Sequence, residues 1–168
     1  MNQRLTKLRH NIVNAGLDAL LISTFENRLY ISGFSGSAGF LLITDSQLIL
    51  ATDSRYTEQA SIQAKGFTIK RTSSKLDWLT DLVKSLGVKQ IGFEADDITV
   101  NMHRLLLSEI NKLNSDNNLD VKIVGTSNIV GNLRQVKTHD EIQILEKVCS
   151  ITDQAMDTVT PNIVAGVT

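Results

Sequence analysis

The chain has 168 residues, with 17 Lys and Arg against 18 Asp and Glu for a net charge of -1. That length suits one well-buried domain plus an appendage and is short for two ordinary domains. The balanced charge, with no long block of one sign, gives no reason to expect nucleic acid or an anionic membrane as a partner.

Cys149 is the only cysteine, so an intramolecular disulfide is excluded, in keeping with a reducing compartment. The longest apolar runs, such as "ALLI" and "FLLI", fall far below the roughly eighteen residues of a spanning helix. The start "MNQRLTKLRH" alternates charge with Leu and lacks the apolar core of a signal peptide. The expectation is a soluble cytoplasmic protein with no membrane partner.

In chain order, Leu5, Leu8, Ile12 and Val13 recur at helical spacing ahead of Gly16, which predicts a helix ended by a left-handed residue. "DALLIS" is a continuous apolar run, the pattern of a strand buried on both faces. "TFENRLYISGFSGSAG" reads as a loop, and "FLLIT" and "QLILAT", separated by Asp45 and Ser46, read as a tight antiparallel hairpin. "SRYTEQASIQAKG" has helical composition, and "FTIKR" alternates as a strand. "LDWLTDLVKSLG" is an amphipathic helix before the strand "KQIGFE". "TVNMHRLLLSEINKL" is helical with Leu105, Leu106 and Ile110 inward; "DVKIV" is a last strand before a helical turn over 127–133. About six strands interleaved with four or five helices predict an α/β fold with a mixed sheet flanked by helices. That pattern is complete by about Leu133.

The remainder opens on "VKTHDEIQIL". Thr138 and Glu141 have capping-box spacing, so a helix is expected from about His139. Ile142, Ile144, Leu145, Val148, Cys149 and Ile151 fall on one half of its circumference and polar residues on the other. A face that wide requires a partner surface. Cys149, on the apolar half, is expected in a core.

Several stretches are candidates for chemistry. The glycines of "GFSGSAGF" stand at 33, 36 and 39, a G-x-x-G-x-x-G spacing followed by a strand, whereas the dinucleotide fingerprint needs G-x-G-x-x-G opening a helix. The loop is read either as small residues permitting close backbone approach or as a display of Phe34 and Ser35 to a partner or ligand. In "TDSRYTEQA", Asp53 or Ser54 is placed to cap the next helix, leaving Arg55 in its first turn, where a cation faces the positive end of the helix dipole. Either an ion pair with an acid such as Glu58 offsets this, or Arg55 and Tyr56 point outward to a carboxylate or another subunit. His10, His103 and His139 are dispersed with no second ligand at helical spacing. Glu94, Asp96 and Asp97 offer fewer oxygens than a hard-cation site gathers and read as a solvated turn with a capping Asp.

Taken together, "ENRLYISGFSGSAG", "LLIT", "ATDSRYTEQA", "GFEAD", "LRQVKTHDEIQILEKVCSITDQAM" and the closing "AGVT" resemble the N-terminal domain of the creatinase, prolidase and aminopeptidase P family, in the family's order across essentially the whole chain. The resemblance implies a ribonuclease H-like N-terminal domain over 1–133. It implies that 134–168 are the junction and first helix of a missing pita-bread catalytic domain, with Pro161 and Gly166 in the turn before its next helix. It implies a parent hydrolase, a metallopeptidase of Xaa-Pro aminopeptidase or Xaa-Pro dipeptidase type. That parent acts on proline-containing peptides with two divalent metals, manganese or cobalt, whose ligands all lie downstream. The fragment alone is therefore expected to be inactive and to bind no metal. Its partners would be its own catalytic domain and a second copy in a homo-oligomer such as a dimer. Arg55, Tyr56, Asp53, Phe34 and Ser35 match family motifs and are the candidate substrate-entrance or subunit-interface residues. A peptide-binding module of a pseudo-peptidase and a creatinase-type amidinohydrolase are the alternatives.

Overall fold

The computed structural model describes residues 3–72 and 76–166; Val167 and Thr168, the end of the quoted "AGVT", lie outside them. The chain forms two compact units, Met1–Leu133 and Arg134–Thr168.

The first unit is a six-stranded sheet in the order β4-β3-β2-β1-β5-β6. Its strands are β1 (Ala19–Ile22), β2 (Phe40–Thr44), β3 (Leu48–Thr52), β4 (Thr68–Arg71), β5 (Gln90–Glu94) and β6 (Lys122–Thr126). β1, β2 and β3 pair antiparallel in sequence, and β5 lies parallel to β1 on its other side. The outer pairings, β3 with β4 and β5 with β6, are also parallel. The turn joining β2 to β3 closes through Thr44, whose N–H donates to the Gln47 carbonyl at 3.1 Å and whose hydroxyl accepts the Gln47 N–H at 2.9 Å.

Strand side chains alternate between faces, and both faces of this sheet are covered. Leu20, Ile22, Leu41, Ile43 and Leu50 pack on one side with Leu5, Leu8 and Ile12 of α1 (Gln3–Asn14) and Val130 of α6 (Ile129–Gln135). Ala19, Leu21, Leu42, Ile49 and Ile91 pack on the other with Leu79 and Val83 of α4 (Asp77–Leu86) and Leu106 and Ile110 of α5 (Val100–Asn117). All four residues of β1 are buried for this reason, as its unbroken apolar run requires.

Three local expectations change. The segment read as a loop after β1 contains a helix, α2 (Phe25–Ser32); its buried residues include Asn27, Arg28 and Ser32, so polarity does not mark its outer face. The helix after β3 is shorter than expected: α3 spans Thr57–Gln63, which leaves Arg55 in the turn ahead of it. Leu105 is 45 % exposed and Val13 62 % exposed, because Leu106 and Ile110 on α5 and Leu8 and Ile12 on α1 already supply the buried stripe.

The second unit is carried by α7 (His139–Val159) and a 3-10 turn at Thr160–Asn162. Its N-terminus has the full capping box. Thr138 N–H donates to Glu141 at 2.8 Å, and Glu141 N–H donates to the Thr138 hydroxyl at 3.3 Å. No residue of α7 is buried, and Cys149 is exposed. Among the described residues no helix is long and apolar enough to cross a membrane.

Candidate functional site

Because β1 and β3 run in one direction and β4, β5 and β6 are parallel to them, their carboxyl ends lie along one edge of the sheet. Open α/β sheets place ligands at such an edge. Ser23 follows β1, Asp53 follows β3, Glu94 closes β5, and the glycine loop enters β2 from the same side.

Glu94 organises one half of this edge. One carboxylate oxygen accepts the backbone N–H groups of Ser23 and Thr24, both at 2.8 Å, and the other accepts Asn27 Nδ2 at 2.6 Å. Thr24 is the N-cap of α2 but makes no side-chain cap bond, so a distant acid supplies the acceptor at the positive helix end. The acid of "FEADD" that caps is thus Glu94 and not the expected Asp, because Glu94 ends β5 beside the start of α2; Asp96 and Asp97 are exposed.

Phe34 does not face outward. It is fully buried and meets the Tyr56 ring edge-on, centroids 6.1 Å apart. The loop then folds over it: a Cβ at Gly36 would overlap the Phe34 ring, and one at Gly39 would come within 2.9 Å of the Ala51 carbonyl oxygen and 3.0 Å of Arg28 Nη1. The close-approach reading of these glycines is the one the loop obeys, with a side-chain ring as the near neighbour of Gly36. Ser35 is exposed; its N–H donates to Gln63 Oε1 at 3.0 Å and its hydroxyl accepts from Gln59 Nε2 at 3.0 Å, tying the loop to α3. Ser37 Oγ and Tyr56 OH lie 2.7 Å apart.

Asp53 holds Arg55. Its Oδ1 accepts the Arg55 backbone N–H at 2.9 Å and Nε at 3.1 Å, and its Oδ2 accepts Nη2 at 2.7 Å. The expected partner Glu58 is displaced in this role by Asp53, two residues back, since the turn that precedes α3 brings the two side chains side by side. The hydrogen bonds from Arg55 hold the Asp53 carboxyl below its ordinary range, and those to Asp53 push the guanidinium up. Arg55 stays at the surface, its side chain 70 % exposed, with its guanidinium carbon 5.2 Å from the Tyr56 ring centroid.

Arg28 carries no sequence signal of its role. It is 2 % exposed, and Nη2 donates to the Ser37 carbonyl at 3.3 Å, whereas Nε and Nη1 have no partner. Burial pushes its guanidinium below the usual range, opposed by the charges of Asp97, Glu94 and Glu26. The arrangement offers donors for recognition and no metal cage. Both Glu94 oxygens are occupied, and among the described residues no three His, Cys, Asp or Glu side chains group to hold a metal ion. The described residues therefore do not fit the paired metals that the resemblance implies.

The model of the creatinase/prolidase N-terminal domain matches residues 4–136. The chain belongs to the creatinase/prolidase N-terminal domain family. Among relatives of this family, an uncharacterized peptidase YqhT from Bacillus subtilis is 36% identical over 153 residues, 90% of this chain and 41% of that protein. An Xaa-Pro dipeptidase from Pyrococcus horikoshii is 28% identical over 93% of this chain and 41% of its own. Among solved structures, an Xaa-Pro dipeptidase from Bacillus anthracis superposes with a TM-score of 0.86 at 33% identity, covering 98% of this chain and 44% of that one. The N-terminal domain of a cytoplasmic peptidase PepQ from Mycobacterium tuberculosis gives 0.71 at 34% identity, covering 79% of this chain and 99% of that one. The creatinase/prolidase-type chain thus spans about two fifths of the length of these full-length relatives.

Proposed function

We propose that residues 1–133 are the oligomerisation and substrate-entrance domain of a cytoplasmic, metal-dependent peptidase that cleaves Xaa-Pro bonds, and that residues 134–168 are the junction and first helix of its catalytic domain. The observation that carries this reading is the match of nearly the whole chain to 44% of an Xaa-Pro dipeptidase. The apolar half of α7 supports it, since Ile144, Leu145, Val148 and Ile151 are all exposed and a body continuing the chain would cover them.

Chemistry then belongs to that body. Paired manganese or cobalt ions would generate hydroxide near neutral pH and polarise the scissile carbonyl, and among the described residues no ligand set groups for them. The first unit acts instead by positioning. Asp53 takes Nε and Nη2 of Arg55, which fixes the guanidinium plane at the surface and leaves Nη1 for a substrate carboxylate or a neighbouring subunit. Tyr56 and the Ser35 loop brace that turn. Phe34, being internal, supports the loop from beneath.

Replacing Arg55 with Ala in the parent protein tests the reading. The expected result is a smaller assembly on size exclusion with light scattering, or a raised KM for an Xaa-Pro peptide. Unchanged size together with unchanged kinetics would refute it.

A further inference from the structure

Arg28 is a cation sealed inside the first unit, 2 % exposed, with Nε and Nη1 unpartnered. Burying a charge on such terms is costly. Part of the cost is offset by the carboxylates of Asp97, Glu94 and Glu26, and part by two rings. The guanidinium carbon lies 5.8 Å from the Phe25 centroid and 6.0 Å from that of Phe34, within reach of cation–π attraction. What remains to be explained is the one polar contact the guanidinium does make, from Nη2 to the Ser37 carbonyl at 3.3 Å.

That contact belongs to a pair. The next carbonyl of the glycine loop, Ala38, accepts Thr52 Oγ1 at 2.6 Å, and Thr52 is as buried as Arg28. Two consecutive carbonyls are therefore tied inward by buried donors. Ser37 itself is exposed, and its Oγ lies 2.7 Å from Tyr56 OH. The residue whose main chain is held by Arg28 thus holds Tyr56 with its side chain. Phe34 meets the Tyr56 ring edge-on from within, and the Arg55 guanidinium carbon stands 5.2 Å from the centroid of that ring. Asp53 supplies the hydrogen bonds of Arg55; Tyr56 supplies an aromatic surface beside it.

We propose that Arg28 is a positioning residue for the Arg55 turn: it holds Ser37, Ser37 holds the Tyr56 hydroxyl, and the Tyr56 ring sets where the Arg55 guanidinium lies. The inference rests on the entrance reading of Arg55 above and deepens it, giving a buried cation a task at a surface that it does not reach.

The test is NMR of the isotope-labelled 168-residue chain with no substrate present, reading the ring-current displacement of the Arg55 side-chain protons by Tyr56. Tyr56→Leu fixes the position of those signals without the ring. Ser37→Ala, which removes only the hydroxyl, should abolish most of the displacement. Arg28→Met, which keeps an apolar stem and removes the donor, should do the same. The double variant should go no further than Arg28→Met alone, since residues acting through one contact are not additive. Should Arg28→Met fail to fold, the Ser37→Ala chain decides from the other end, because coupling is reciprocal: its Arg28 Nε–H resonance should move from the wild-type position. Arg55 signals that stay in place in Arg28→Met or in Tyr56→Leu would overturn the proposal, as would additive effects or an unmoved Arg28 resonance in Ser37→Ala. Neither substrate nor assembly enters this measurement, so its failure leaves the entrance reading standing. An Arg55→Ala parent of unchanged size and kinetics would in turn leave this relay standing.

Discussion

Glu94, the last residue of β5, caps a helix that begins 70 residues earlier in the chain, accepting the N–H of Thr24 at 2.8 Å. The same carboxylate takes Ser23 N–H and Asn27 Nδ2, so one side chain joins the end of β1, the start of α2 and the end of β5. Removing it leaves three donors short of an acceptor. Glu94→Ala should cost about 2 kcal/mol, given what caps and charge-assisted hydrogen bonds contribute. Urea unfolding followed by the fluorescence of Trp78, the only tryptophan, measures it in the first unit. A change under about 0.5 kcal/mol, the range of ordinary surface substitutions, would contradict this account of α2.

Gly36 and Phe34 form a second dependence. A Cβ at position 36 would overlap a ring that is fully enclosed, so the loop or the ring must shift. Gly36→Ala should destabilise by about 1 to 3 kcal/mol, as overpacking does. Phe34→Leu in the same chain should make the Gly36→Ala step cheaper, a non-additivity expected only of residues in contact. Additive effects in that double-mutant cycle would separate the two.

Asp53 gives a pH prediction. Its carboxyl lies below the ordinary range because Arg55 donates to both oxygens. A depressed folded-state pKa contributes stability that is present above the unfolded value and is lost as pH falls through the folded one. The pair is exposed, so the effect on global unfolding should be small. The site-specific effect should be clear: in Arg55→Gln, carbon-detected titration should return the Asp53 carboxyl to the ordinary carboxylate range. An unmoved Asp53 titration would show that Arg55 is not its partner.

Thr138 and Glu141 make the analogous prediction for the second unit. The reciprocal bonds at 2.8 and 3.3 Å close two backbone donors at the start of α7, and Thr138→Ala should cost about 1 kcal/mol. Faster amide exchange confined to the first turns of α7 is the expected reading. Unchanged exchange there would mean that the box contributes nothing.

Much of this architecture is legible in the residues because periodicity reports burial. "ALLI" is buried along its length between two helical layers, and the hairpin of β2 and β3 follows from two apolar runs around Asp45 and Ser46. Thr138 and Glu141 announce α7 by spacing alone. The site is legible only in part. Asp53 and Arg55 were paired by the turn ahead of α3, not by the helical spacing to Glu58 that their sequence suggests. α2 hides because Asn27, Arg28 and Ser32 are buried along it, which reverses the polarity cue on which helix recognition rests. Arg28 and Glu94 acquire their roles only once β1 and β5 lie side by side, a parallel pairing across about 70 positions that local pattern does not encode.

We propose that this chain positions peptide for the catalytic body of a longer peptidase. The most direct measurement compares cleavage of an Ala-Pro dipeptide, with manganese added, by the 168-residue chain and by the product of the complete reading frame. The account predicts release of proline by the longer protein and none by the 168-residue chain; proline release by the chain alone would contradict it.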